Sequence, residues 1–330
     1  MEKNQLRIGI IGTNFVSGWL AEAAQTEGSF VTQAVYSRKQ ETGDAFAAKY
    51  GIPEVYTDAE AFFSSDSIDA VYIASPNFAH AGQAIQALEH GKHVLCEKVI
   101  ATNSNELSQM LAAAEKNDRV LMEAMRPAHD PSLALIKEQL PKLGKLRRVS
   151  FDFCQYSSRY DRFKSGEILN AFNPELSNAA IMDIGVYIVH VCALLFGRPQ
   201  KLLSMSTFLH NGFEGAGHVL LDYGDMKAEL SYSKITESAT PNLIMGENGT
   251  LTFGKITLPK DFRIRYRDGR TEELPFTPLE NNMVFELADF AKQIRSGEWH
   301  SDFLDASVLE MELIDEIRRQ NGIVFPADRV

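Results

Sequence analysis

Cysteine is scarce here: Cys96, Cys154 and Cys192 stand far apart, with no CxxC pair among them. Such a set offers neither a disulfide framework nor zinc spacing, so reduced core residues in a cytoplasmic protein are expected. His90, His93, Cys96 and Glu97 lie close in sequence, but His93 and Cys96 share a short strand-like run and no ligand spacing recurs, so no metal is expected. Long apolar runs are missing too. The nearest to the roughly 18 residues that span a bilayer is Ile181–Phe196, which Asp183 and His190 interrupt, and a buried core helix is the better reading. Met1-Glu-Lys-Asn-Gln5 leads directly into a strand-like run, without the apolar stretch of a secretory signal. Positive charge is in deficit, with 33 Lys and Arg against 44 Asp and Glu and a net charge of -11. That balance argues against a nucleic-acid partner, which needs a basic face. It leaves small substrates open, since a basic pocket can sit within an acidic protein.

What is present suits a globular chain: 330 residues, 45% hydrophobic and 23% charged, enough for two domains with separate cores. In the first part, apolar runs of strand length (Leu6–Ile11, Val31–Tyr36, Ala70–Ala74, His93–Cys96, Val120–Met122) alternate with helical patterns. Those patterns are Phe15–Thr26, Gly43–Tyr50, Ala79–His90 and Ser104–Asn117. Nearly continuous apolar strands between helices imply a Rossmann-type parallel sheet covered on both faces. From about Arg147 the rhythm changes. Val149, Phe151 and Phe153 alternate with polar residues, as do Leu202–Leu209, Val219–Tyr223 and Ala228–Ser233, with turn signals at Gly224, Asn248-Gly249 and Asp268-Gly269. This predicts an α+β domain with a large, mainly antiparallel open sheet. Ile181–Phe196 reads as one helix stopped by Gly197, and further helices are expected near Met283–Ser296 and Asp305–Asn321. Two prolines near Met125–Pro131 place the division there: residues 1–125 for the dinucleotide, 126–330 for substrate and oligomerisation.

In a parallel sheet, ligands bind beyond the carboxyl ends of the strands. Four turns fall at such ends. At the first, Gly12, Thr13, Asn14 and Phe15 precede a helix whose free N–H groups would receive a pyrophosphate. Only Gly12 keeps its place in a GxGxxG pattern; Asn14 and Ser17 replace the other glycines, and asparagine tolerates left-handed angles better than most residues. At the second, Ser37, Arg38 and Lys39 follow a strand with no acid between Ala34 and Gln40. An acid there would bind the ribose 2′-hydroxyl, whereas arginine suits a 2′-phosphate, so NADP(H) is favoured over NAD(H). At the third, Ser75, Pro76, Asn77 and His80 open a helix and are expected among the cofactor contacts. Asn77 is read either as a cofactor contact or as a helix cap, and His80 as structural rather than catalytic. The fourth is Glu97-Lys98-Val99. Lys98 and the distant Tyr187 would form a proton-transfer pair, because an ammonium favours the phenolate form of a neighbouring phenol.

Four segments, Asp69–His80, Gly91–Lys98, Asp183-Ile-Gly-Val-Tyr187 and Gly322-Ile-Val-Phe-Pro326, resemble the Gfo/Idh/MocA oxidoreductases, and the likeness spans essentially the whole chain. The resemblance implies an N-terminal Rossmann domain and a C-terminal domain whose open sheet often forms the oligomer interface. It further implies oxidation or reduction of sugars, inositols and related hydroxy compounds with NAD(P). Tyr187 stands where many members carry histidine, so the chain is more similar to the dihydrodiol dehydrogenase and glucose–fructose oxidoreductase branch. On this reading Lys98, Tyr187 and Asp183 are catalytic, Asn178 and His190 line the substrate pocket, and Glu97 joins the cofactor contacts. Two departures stand out. Val99 replaces the family's proline, and a cis bond before a non-proline residue costs about 2.5–4 kcal/mol, so the turn is expected to differ. Ser177-Asn178-Ala179-Ala180 lacks the family's glycine. A non-catalytic dinucleotide-binding regulator of the same fold is the alternative function; retention of both Lys98 and Tyr187 argues against it. A homodimer or higher homo-oligomer is expected.

Overall fold

The computed structural model describes residues 5–329, in two compact units. The first comprises the chain up to His129 together with Asn281–Asp305; the second comprises Asp130–Glu280 together with the chain from Ala306 onward. In the first unit the order is β1 (Leu6–Ile11), α1 (Phe15–Glu27), β2 (Phe30–Tyr36), α2 (Gln40–Tyr50), β3 (Glu54–Tyr56), α3 (Ala59–Phe63), β4 (Ala70–Ile73), α4 (His80–Glu89), β5 (His93–Glu97), α5 (Ser104–Asn117), β6 (Leu121–Ala124) and α6 (Arg126–His129). The strands form a sheet in the order β3-β2-β1-β4-β5-β6, and every pairing is parallel. Between β1 and β4 the strand order reverses, which opens a crevice at their carboxyl ends. The central strands are apolar throughout because helices cover both faces; Ile8, Ile10, Val71, Tyr72 and Leu95 are fully buried. Residues 54–56 escape the sequence reading because a three-residue edge strand, Glu-Val-Tyr, is too short to show a period.

The second unit contains α7 (Pro131–Gln139), β7 (Leu146–Cys154), α8 (Tyr160–Lys164), a π-helical turn over Ile181–Gly185, α9 (Val186–Phe196), β8 (Lys201–Phe208), β9 (Glu214–Asp222), β10 (Lys227–Ser233), β11 (Asn242–Gly246), β12 (Gly249–Phe253), β13 (Phe262–Tyr266) and β14 (Thr271–Leu274). Its sheet runs β14-β13-β12-β11-β7-β10-β9-β8. All pairings are antiparallel except the central β7–β10 pair, which is parallel. Alternation separates the faces. Val149, Phe151, Val219, Leu221, Leu230 and Ile244 are buried, while Leu203, Met205 and Leu220 at the β8–β9 edge are exposed at 66%, 78% and 42%. The predicted Ile181–Phe196 helix is continuous, but its first turn is π rather than α.

Two helices follow: α10 (Met283–Ser296) and α11 (Asp302–Asn321). Here the structure departs from a continuous second domain. Met283, Leu287, Phe290 and Ala291 of α10 are buried in one cluster with Leu20, Ala24, Phe30 and Val35 of the first unit, and Phe290 stacks on Phe30 at 5.6 Å. The physical reason is the apolar stripe of α10, which repeats at helical spacing and completes the core over α1 and β2. None of the three cysteines is disulfide-bonded; Cys96 and Cys192 are buried and Cys154 half-buried.

Candidate active site

The β1–α1 turn is shaped by Gly12, whose φ is +103°. A side chain there would bring a Cβ within 2.9 Å of the Ala74 carbonyl oxygen, so only glycine lets this turn pack directly against the end of β4. Asn14 caps α1: Val16 N and Ser17 N donate to its Oδ1 at 2.9 and 3.0 Å, and its own Nδ2 donates to Ala74 O at 2.8 Å. Two helix N–H groups expected to be open are therefore taken by Asn14 itself, and its backbone is extended rather than left-handed. The next residue to matter is Gly18, which the GxGxxG comparison passed over. A Cβ there would lie 2.1 Å from Tyr50 Oη, so Gly18 permits the close approach of α1 to α2. Thr13, Asn14 and Phe15 line a groove against α2, and Phe15 is 63% exposed.

At the end of β2 the Ser37 hydroxyl is buried and serves the start of α2, donating to Lys39 O at 3.0 Å and lying 2.7 Å from Thr42 Oγ1. Arg38 and Lys39 are exposed. At the end of β4, Ser75 donates to Gln83 at 2.7 Å, while Pro76 is exposed and Asn77 is half-buried in a short 3-10 turn. His80 is fully buried with one ring nitrogen 2.9 Å from Val99 O and the other 2.9 Å from Ser75 O. Burial holds its pKa down, and a neutral ring can donate to only one of these carbonyls at a time. The ring thus braces the β4 and β5 turns from inside.

The Lys98–Val99 peptide bond is cis, so the turn keeps the form that the missing proline was expected to alter. Lys98 is half-exposed and Val99 buried. Tyr72 Oη donates to Glu97 at 2.5 Å; burial raises the Glu97 carboxyl above its usual range, against the pull of that bond and of the Lys98 charge. Around it lie acids that sequence reading missed. Glu123 accepts from Ile100 N at 2.9 Å. Glu286 of α10 is fully buried, and neither of its carboxyl oxygens has a hydrogen-bond partner among the described residues. Burial first, and then the Glu97 charge, pushes Glu286 well above the carboxylate range. Its place on an apolar helix face was the available signal.

In the second unit, Tyr187 is 9% exposed and meets Phe153 edge-on at 5.6 Å. Asp183 sits in the π turn ahead of it. Its Oδ2 lies 2.7 Å from Lys234 Nζ, with the aspartate side chain 39% exposed and the lysine 2%. The turn is also held at its start by Glu214, a buried carboxylate accepting from Ile181 N at 2.9 Å. π turns of this kind recur at functional sites because they re-aim a side chain without ending the helix. His190 is buried, and its Nδ1 lies 2.5 Å from the carboxyl of buried Glu310. Asn178 is half-buried, with its Nδ2 donating to Asn170 O at 3.2 Å. Lys234, Glu214 and Glu310 carry no signal in a single sequence, since each is an isolated charge in an alternating or amphipathic run.

Residues 6–125 match the oxidoreductase family with the NAD-binding Rossmann fold, and residues 137–252 match the GFO/IDH/MocA C-terminal domain. The scyllo-inositol 2-dehydrogenase (NADP(+)) of Bacillus subtilis is 42% identical over 98% of this chain and 99% of its own. The mouse trans-1,2-dihydrobenzene-1,2-diol dehydrogenase is 24% identical over 98% of this chain and 99% of its own. Among solved structures, a 3-ketoreductase from Actinomadura kijaniata with NADP and TDP-benzene superposes with a TM-score of 0.87 at 23% identity, covering 96% of this chain and 98% of the other. The chain therefore belongs to the Gfo/Idh/MocA family and is an NAD(P)-dependent oxidoreductase.

Proposed function

We propose that the protein is an NADP(H)-dependent dehydrogenase or reductase of cyclitols, sugar-like polyols or vicinal diols and their ketones. The observation that carries this is the turn Ile181–Gly185, which presents a half-exposed Asp183 carboxylate one turn before Tyr187. A carboxylate fixed beside a phenol suits a substrate with one hydroxyl to react and another to hold. The whole-length likeness to an inositol dehydrogenase and to diol dehydrogenases supports the same class.

The turn at Gly12 suits a dinucleotide, with Thr13, Asn14 and Phe15 beside the pyrophosphate and Ser75, Pro76 and Asn77 nearer the nicotinamide end. Arg38 and Lys39, in a turn with no acid between Ala34 and Gln40, would receive a 2′-phosphate. Bound nicotinamide supplies the hydride acceptor or donor. Tyr187 Oη takes the hydroxyl proton as the C–H bond gives up its hydride, and returns that proton when a carbonyl is reduced. Lys98 supplies the positive charge that stabilises oxyanion character on the reacting oxygen. Asp183 accepts from the neighbouring hydroxyl. The test is a panel of scyllo-inositol, other inositols, sugars, diols and dicarbonyls with each cofactor, followed by reduced-nicotinamide absorbance. Turnover of a cyclitol or diol with NADP(H) is expected. Dinucleotide binding with no turnover of any member would replace this reading with the regulator.

A further inference from the structure

The geometry points to Lys234 as the residue that positions Asp183 for recognising a substrate hydroxyl next to the reacting carbon. This rests on the function proposed above and adds a residue to it. Lys234 follows directly on β10, and its ammonium is almost wholly buried. It donates to Ala171 O at 2.5 Å and lies 5.0 and 5.1 Å from the ring centres of Phe172 and Phe213. Both rings are fully buried, in a cluster with Phe163. A lysine that served only solubility would carry its charge to water; burying an ammonium among phenyl rings is costly unless it is paired.

The pairing is lopsided. Asp183 reaches solvent while Lys234 lies behind it, so the lysine's charge is presented outward through the aspartate. A 2.7 Å contact from the rear fixes the carboxylate rotamer and leaves its direction set by β10 instead of by the loosened π turn. Glu214 holds the other end of that turn through Ile181 N. The carboxylate is thus held by Lys234 and the start of the turn that carries it by Glu214, which is what a short, charge-assisted contact to a hydroxyl needs. Lys234 touches no reacting atom on this reading; it is a positioning residue.

Steady-state kinetics on Lys234→Met, Asp183→Asn and the double variant test this, using scyllo-inositol or whichever cyclitol or diol of the panel turns over fastest. Loss of a charge-assisted contact made equally in ground and transition states raises KM with kcat little changed, by about ten- to a hundredfold. The expected result is that rise for Lys234→Met, with NADP(H) affinity unchanged, and a double variant no worse than Asp183→Asn alone. An unchanged KM with kcat falling in step with the folded fraction would overturn the inference, as would single effects that multiply in the double variant. If Lys234→Met fails to fold, the uncharged double variant decides. Its folding with the KM of Asp183→Asn supports the assignment, and its failure makes Lys234 a residue of the fold alone. A wild-type protein inactive on the whole panel overturns the proposed function and this inference together, whereas an active one with multiplying effects overturns only the inference.

Discussion

Removing one oxygen from Tyr187 leaves its ring against Phe153 intact, so Tyr187→Phe separates proton transfer from packing. Turnover is expected to fall by about two to four orders of magnitude, as for any positioned acid or base, with cofactor affinity preserved. On the proposed mechanism Lys98→Met should cost a similar factor, and the two together much less than the product, as expected of residues that share one step. Stopped-flow and steady-state assays of the three variants check this; near-normal turnover by Tyr187→Phe would place the proton donor elsewhere. Arg38→Ala should erase most of a preference for NADPH over NADH of about ten- to a hundredfold, the worth of a charge-assisted contact. Fluorescence titration of both cofactors measures it, and equal affinities in the unmodified protein would remove the premise.

Glu286 makes a different kind of prediction. Its folded-state pKa lies well above 4.5, so from about that pH upward an unfolded chain has released a proton that the folded protein still holds. Folding stability attributable to this group therefore falls as pH rises. Glu286→Gln keeps the shape and stays neutral, and its stability advantage should grow with pH from about 4.5 and level off once the folded carboxyl ionises. Urea midpoints across a pH series read this directly. An advantage that is constant, or that widens on acidification, would count against a protonated Glu286. Much of this chemistry was hidden from the sequence for one reason. Lys98, Tyr187 and Asp183 sit in motifs, whereas Glu286, Lys234 and Glu214 owe their roles to burial, which a single chain does not display.

At the level of elements, periodicity served well where strands were long or helices strongly amphipathic: β1, β4, α1, α5 and α10 lie within a residue or so of their expected spans. It failed where the determining contact came from far along the chain. The apolar stripe of α10 was visible, but nothing in residues 283–296 says that it covers Leu20 and Phe30. The same contact gives a measurable cost. Phe290 is fully buried, so Phe290→Ala should destabilise the first unit by about 3–5 kcal/mol. Hydrogen exchange should show that loss in β1, β2 and α1, and an effect confined to the second unit would contradict the assignment. The π turn at Ile181–Gly185 was unreadable for another reason, since a widened turn has the same composition as an ordinary one.

At the level of the whole molecule, self-association is expected. Leu203 pairs with Leu220 across β8–β9, and with Met205 they leave an apolar stripe on one face of the open sheet. A two-fold pairing of such stripes gives a closed dimer. Light scattering at micromolar concentration should give a dimeric or higher mass, lowered by Met205→Glu; a monomeric mass for the unmodified chain would defeat the expectation.

The return of α10 to the first unit bears on how the protein is made. Ribosomes deliver the chain from its amino end, so β1 to β6 emerge well before Phe290 is polymerised. Throughout that interval the nascent Rossmann sheet lacks the cover over Leu20, Ala24 and Phe30, and its apolar flank stays open to chaperones or to neighbouring nascent chains. A fragment ending at His129 should accordingly be sticky and prone to aggregate. Fusing residues 281–305 behind it through a flexible linker should restore a soluble, dinucleotide-binding unit, because the missing wall of the core then arrives on the same polypeptide.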